Sequence, residues 1–423
     1  MKTKIIPCYY LKDNCLVKNF DDEEIISNNP VKTITDASIK GADAVIIFDL
    51  SESDDEHEES LLMIRRITQS IDTPIYGAGN VKRLEDIKKL IYAGCKKAIL
   101  NLSKASNIDL IAESGKRFGS DRIMVCAVDS SSLSANNDVI KKYTSGIIIL
   151  NDADSIIDDI EIIRVIDEAC SADELCNMVN EGFAVSISGD TISNYPSSYF
   201  DLKYEMSENG IETYSINANL QFDDLKLNSD GMVPVVVQDI NTDEVLMVAY
   251  MNEEAYTQTV RTGIMTYYSR SRNELWVKGL TSGHLQYAKE LYADCDKDTI
   301  LAKVVQIGNA CHTGSHSCFF NDIFNTDYES SNPYHVFEDL SAVIHDRKMN
   351  PKEGSYTNYL FDKGIDKILK KVGEEATEIV IAAKNPEKEE VKYEIADFLY
   401  HMMVLMEECN LSWNEITQEL KNR

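Results

Sequence analysis

Residues 294–318 read D-C-D-K-D-T-I-L-A-K-V-V-Q-I-G-N-A-C-H-T-G-S-H-S-C. Asp294, Asp296 and Asp298 stand at alternate positions, with Cys295 between the first two. Cys311 and Cys318 follow, with His312 and His316 around them. In an extended segment alternate side chains share one face, so the three acids can converge on a hard cation while Cys295 points the other way. Carboxylate oxygens suit Mg²⁺, and thiolates suit Zn²⁺. Three thiolates are one short of a closed structural zinc site. They match a catalytic site with an open position, where the pKa of a bound water falls towards neutrality. A disulfide, or buried free cysteines beside a solvated acidic turn, fits the same spacing.

Further stretches accompany this one within residues 226–325. They are V-P-V-V-V-Q-D-I-N-T-D-E-V-L-M-V-A-Y-M at 233–251, Y-S-R-S-R at 268–272 and L-W-V-K-G-L-T-S-G at 275–283. With D-C-D-x-D and A-C-H-T-G-x-x-S-C-F they closely resemble phosphoribosyl-AMP cyclohydrolase of histidine biosynthesis. The resemblance implies that Cys295, Cys311 and Cys318 are zinc ligands and that Asp294, Asp296 and Asp298 are magnesium ligands. It also implies a homodimer with the zinc site shared between subunits. Water activated by zinc would attack C6 of the adenine ring of phosphoribosyl-AMP, and the N1–C6 bond would open. His312, beside Cys311, is the candidate acid/base, because histidine titrates near neutral pH. Arg270, Arg272 and Lys278, close to the hydroxyls of Thr281 and Ser282, are candidate phosphate contacts. Ordinary surface charge is the alternative for that cluster.

The composition sets limits on the rest. The chain has 423 residues, enough for two to four domains, and is 43% hydrophobic. Its 42 basic and 71 acidic residues give a net charge of -29. That argues against nucleic acid, whose binding depends on basic surface. No apolar run reaches the length of about 18 residues that a membrane span needs. The start, M-K-T-K-I-I-P, has no signal-peptide core. The ten cysteines are scattered and read as reduced thiols. A cytoplasmic protein is expected.

Before residue 226, residues 44–48, 73–80, 97–102, 122–128 and 146–150 read as strands. Residues 61–71, 84–93 and 107–118 read as helices. This alternation predicts a parallel sheet with crossover helices. I-I-P-C at 5–8, L-K-D at 11–13, G-A-D-A at 41–44, G-A-G at 77–79 and R-F-G at 117–119 resemble the cyclase subunit of imidazole glycerol phosphate synthase, a (β/α)₈ barrel. Tyr10 stands where that family has a catalytic carboxylate, while Asp129 matches the second one. The family's late glycine-rich phosphate strand is not recognisable. From Asp152 to Tyr214 the chain looks too short for the remaining units, with 185–189 a weak candidate for one. One carboxylate cannot serve as both acid and base. Residues 1–225 are therefore expected to form a degenerate barrel without cyclase activity, in a structural or interaction role. The acidic run E-S-D-D-E-H-E-E at 52–59 is expected to be a solvated loop.

After a polar linker at 326–335 the pattern is helical, at 337–347, from 355, at 365–384, 387–408 and 412–420. Asn385-Pro386 should stop the third of these. Glu375 and Glu378 stand at i, i+3, and so do Glu394 and Asp397, each pair on one helix face. Two such faces packed together make an acidic, metal-binding centre in a bundle. An exposed acidic stripe is the alternative. Ile379, Val380, Ile395 and Leu399 are apolar, which puts the acids at the border of a core, where they need cations.

S-Y-T at 355–357, K-K-V-G-E-E-A-T-E at 370–378, A-A-K at 382–384 and E-I-A-D at 394–397 closely resemble phosphoribosyl-ATP pyrophosphohydrolase, an all-α family. The resemblance implies Mg²⁺ at Glu375, Glu378, Glu394 and Asp397, activating water against the α–β phosphate link. Lys348, Lys371 and Lys384 are candidate phosphate contacts, and Glu374 a possible addition.

The expected architecture is an N-terminal α/β degenerate barrel (1–225), a central β-rich α+β metal domain (226–325) and a C-terminal helical bundle (336–423). The expected function is bifunctional hydrolysis of phosphoribosyl nucleotides in two consecutive steps. A scaffold recruiting pathway partners through the barrel is the alternative from another class. A zinc nucleobase deaminase is the other, although H-x-E with P-C-x-x-C is absent.

Overall fold

A computed structural model describes residues 2–128, 130–150, 160–182, 185–324, 326, 336–384 and 387–421. Asp129, most of the expected linker and Asn385-Pro386 lie outside the described residues. The chain divides into two compact units, Met1–Asp322 and Ile323–Arg423.

In the first unit, strands Cys8–Lys12, Val45–Asp49, Ile75–Ala78, Lys97–Asn101, Ile123–Ala127, Gly146–Ile149, Glu161–Val165 and Ser186–Ser188 run parallel, each paired with the next. Ile5 bridges Ile187 in parallel. The Ile187 amide donates to Lys4 O at 3.0 Å, and the Ile6 amide to Ile187 O at 2.9 Å. These bonds close the sheet into an eight-stranded barrel. The expectation that the chain is too short for all eight units is thus corrected. The last strand is only three residues long, and the helices around it are short, nine residues at Ala172–Asn180 and four at Asp190–Ser193.

Period-two alternation sorts the side chains of each strand. Cys8, Tyr10, Ile46, Phe48, Ile99 and Met124 fill the interior. Val45, Ile47, Leu100, Val125 and Ile147 pack outward beneath the helices. The acidic run at 52–59 is not a loop. It opens the helix Asp54–Ser70, with Ser53 and Glu56 forming a capping box. Asp54, Asp55 and Glu56 occupy its first turn, where negative charge favours the helix dipole.

The central β-rich region belongs to the same unit. Its sheet has the order Val245–Met251, Val233–Asp239, Ile300–Gln306, Gln286–Ala293. Val233, Val235, Val237, Ile300, Ala302 and Val304 form its core. Strands Thr266–Ser269 and Glu274–Val277 make a separate hairpin. The helix Glu253–Thr262 starts at Asn252, whose side chain accepts from the Ala255 amide at 2.9 Å. The barrel rests on this region. Ser38 Oγ lies 3.0 Å from Tyr287 OH. Asp72 pairs with Lys289 and Asp201 with Arg261. Ile39 packs on Ile264, Leu285 and Tyr287.

The second unit is helical: Val336–Met349, Tyr356–Lys363, Ile365–Lys384, Lys388–Glu408 and Trp413–Lys421. Its core is small, with Ile344, Leu360, Ile368, Met403 and Val404. The apolar neighbours of the acids do not join it. Val380 is 60% exposed and Ile395 42%. Among the described residues, no helix is long and apolar enough to cross a membrane.

Candidate metal centres and their surroundings

Asp294, Asp296 and Asp298 offer ligand oxygens within 4.8 Å of one another. They converge by a different route from strand alternation. The strand ends at Ala293 and the next begins at Ile300, so the acids sit on the connecting turn. Asp294 Oδ1 accepts from the Asp298 amide at 3.0 Å and the Thr299 amide at 3.2 Å. Lys297 takes a φ of 60°, in the left-handed region. An Asp folding its own turn in this way is a familiar use of a short acceptor side chain. A cavity of about 560 Å³ is lined by both Ala293 and Ile300, the residues that bracket this turn.

Cys311 and Cys318 are in contact. Cys311 Sγ lies 3.0 Å from Thr313 Oγ1, and this hydrogen bond holds the thiol below its ordinary pKa. Burial, then the neighbouring Cys311, raises Cys318. Cys295 is exposed. Among the described residues, it does not join Cys311 and Cys318 in a cluster of ligand atoms within 4.8 Å. His312 is exposed beside Cys311, and His316 lies 3.5 Å from Glu244.

The candidate phosphate contacts divide. Arg270 sits 3.8 Å over the Tyr250 ring, and Arg272 pairs with Glu274 at 3.3 Å. Thr281 and Ser282 lie exposed on the turn that follows. Lys278 is buried, and its Nζ donates to Ala310 O.

In the helical unit, Glu375, Glu394 and Asp397 bring ligand oxygens within 4.8 Å of one another. Glu375 comes from Ile365–Lys384, while the other two come from Lys388–Glu408. Glu375 is 4% exposed. Glu378 neighbours Glu375 and Glu394 but is exposed and lies outside that group of three. The bond with Glu375, then desolvation and the charges of both neighbours, raise the Glu378 pKa. Four acids that repel one another in this way form a donor set suited to a hard cation. Lys371 Nζ lies 3.3 Å from Glu375, and Lys348 Nζ lies 3.3 Å from Glu408. Lys384 is exposed at its helix end.

The helix pattern did not reveal His401, which is buried beside the acids. Its Nδ1 lies 2.8 Å from Asp397 O and 3.6 Å from Glu375 Oε1, and its Nε2 3.1 Å from Tyr356 OH. Its place at i+4 from Asp397 was the available signal.

At the barrel mouth, Tyr10 stacks on Phe48 with centroids 5.4 Å apart, and Phe20 meets Tyr10 edge-on at 4.7 Å. Burial pushes the Tyr10 phenol well above its ordinary pKa. These rings line a cavity of about 470 Å³, together with Asp49, Asn101 and Asp167.

Comparison with known families places three matches along the chain. The family described as "Histidine biosynthesis protein" matches residues 4–180. "Phosphoribosyl-AMP cyclohydrolase" matches 247–320, and "Phosphoribosyl-ATP pyrophosphohydrolase" matches 337–423. Similar curated proteins carry the name "Histidine biosynthesis bifunctional protein HisIE". One from Caldanaerobacter subterraneus is 50% identical over 200 residues, 47% of this chain and 96% of its own length. One from Halalkalibacterium halodurans is 50% identical over 205 residues, 48% of this chain and 97% of its own. One from Bacillus subtilis is 48% identical over 203 residues, 48% of this chain and 96% of its own.

Proposed function

The chain belongs to the histidine biosynthesis bifunctional protein HisIE family, with cyclohydrolase and pyrophosphohydrolase domains, and from that premise we propose that its two reactions run at two separate metal centres. The observation that carries this reading is the pair of acidic triads, one in each compact unit.

At the helical centre, Glu375, Glu378, Glu394 and Asp397 would hold Mg²⁺. Bound there, the ion supplies charge that polarises a phosphate and a nucleophilic water. Lys371, Lys348 and Lys384 then offer cations to the triphosphate of phosphoribosyl-ATP, and the products are phosphoribosyl-AMP and pyrophosphate. Lys371 is tethered to Glu374 and Glu375, so it reaches the substrate only beside the acids themselves.

At the central region, Asp294, Asp296 and Asp298 would hold Mg²⁺, and Cys295, Cys311 and Cys318 would hold Zn²⁺. Two contacting thiols, and an exposed third that does not join them among the described residues, support a zinc site completed by Cys295 of a second copy in a homodimer. Bound there, zinc supplies the Lewis acidity that makes water nucleophilic near neutral pH. His312, exposed next to Cys311, moves the proton to the leaving ring nitrogen of phosphoribosyl-AMP. Arg270, Arg272, Thr281 and Ser282 hold the phosphate, with Arg270 prepositioned by its ring contact.

Cys311→Ser tests the zinc assignment. The wild type should carry about one Zn²⁺ per chain, as one three-thiolate site would hold. The variant should lose it together with ring opening, while pyrophosphate release continues. Full cyclohydrolase activity in a zinc-free preparation would sink the assignment.

A further inference from the structure

Lysine is seldom buried without an acid beside it. Lys278 is 7% exposed, and among the described residues it pairs with no carboxylate. Its Nζ donates to Ala310 O, the carbonyl directly before Cys311. Burial lowers the pKa of this ammonium, and the neighbouring Cys318 and Cys311 act against that shift.

The side chain is held from several directions. The Lys278 amide donates to Met265 O at 3.0 Å, and Nζ lies 5.3 Å from the Trp276 ring. The next residue, Gly279, has a φ of +83°, and a Cβ there would fall 2.3 Å from the His284 carbonyl. Only glycine fits that close approach of the turn after Lys278 to the His284 carbonyl. An ammonium so enclosed is poorly placed to meet a phosphate arriving from solvent.

We propose that Lys278 is a positioning residue for the cysteine pair. Its ammonium ties down the Cys311 loop through the Ala310 carbonyl and sets a positive charge near the two sulfurs. This rests on the zinc reading above. Three thiolates around a divalent ion leave one net negative charge, and a single buried cation offsets it. Groups behind the ligands commonly tune a metal site in this way, and their loss costs roughly tenfold or more in metal affinity.

The test uses the full chain with Lys278→Met, which keeps length and apolar stem, and Lys278→Gln, which keeps a donor without charge. Zinc retention is read against a chromophoric chelator, and folding by circular dichroism. Cobalt-loaded protein reports the sulfur-to-metal charge-transfer band. Lys278→Met should surrender zinc about tenfold more readily than wild type. Its cobalt band should move to longer wavelength, because thiolates without a nearby cation give up an electron more easily. Lys278→Gln should shift the band in the same direction, and it carries the test if Lys278→Met does not fold. Wild-type retention and an unmoved band in a folded variant, with Cys311→Ser still losing zinc, would overturn the proposal. A wild type that binds no zinc would overturn the zinc reading itself, and is told apart because the wild type, not the variant, departs from expectation.

Discussion

Asp49 ends the second barrel strand with its side chain fully buried. His57 Nδ1 lies 2.5 Å from Oδ2, and the Ser51 amide donates to Oδ1 at 3.0 Å. Burial alone would raise its pKa. The bonds from His57 and from the Ser51 side chain and amide outweigh it, so the net shift is downward. An acid with a depressed folded pKa stabilises the fold fully above its unfolded value of about 3.9, and the contribution fades as pH falls through the lower folded value. Asp49→Asn should therefore cost on the order of 2 kcal/mol at neutral pH, from lost charge-assisted bonds at a buried site. Thermal melts of both proteins would check this. The gap should shrink as pH drops below about 4, and a gap that widens there would contradict the assignment. None of this was visible in the sequence, where Asp54, Asp55 and Glu56 around His57 read as a solvated run. By contrast Glu375, Glu394 and Asp397 were legible, because i, i+3 spacing fixes a helix face before any packing is known. The acids at 294–298 do come together, but a turn gathers them and not strand alternation.

Among elements, hydrophobic period and caps were good guides. The helix at 365–384 lies where its pattern puts it. Asn252 caps its helix as its type suggests. Asn252→Ala should cost about 1 kcal/mol of stability, read from urea denaturation, and Asn252→Ser should cost far less. Equal losses would mean that the cap bond is not what Asn252 contributes. The barrel's closing strand gave only a weak signal, at 185–189. Three residues, Ser186–Ser188, hold too little alternation for more, and two of them are serines. Their neighbours, not their own pattern, make them a strand: Ile163 and Val165 on one side and Ile5 on the other. Glu161–Val165 escaped notice because its charged Glu161 and Arg164 are buried in the barrel wall.

At the scale of the whole molecule, the relatives align over about 200 residues that make up nearly their entire length, so their chains leave no room for a barrel of this size. The two hydrolytic domains are thus a module that elsewhere stands without one. Here the barrel covers Ile264, Leu285 and Tyr287 through Ile39. A truncated protein of residues 226–423 should keep both activities, yet bind more of a hydrophobic dye and aggregate sooner. Folded, metal-loaded truncated protein lacking both activities would show instead that the barrel is required for catalysis. The barrel's own mouth, closed in by Tyr10, Phe20 and Phe48, offers aromatic surface where the resembled cyclase has a carboxylate.

The central claim is that two independent metal centres divide the chemistry. Glu394→Gln tests it most directly, because it removes one charge from the helical acid cluster and leaves the turn at 294–299 untouched. Turnover is measured on the full-length variant with each substrate supplied separately. Pyrophosphate release from phosphoribosyl-ATP should fall by at least about a hundredfold, roughly 2.7 kcal/mol of transition-state stabilisation. Ring opening of supplied phosphoribosyl-AMP should stay within about twofold of wild type, a difference of roughly 0.4 kcal/mol. Loss of both activities in a folded, metal-loaded variant would contradict the claim.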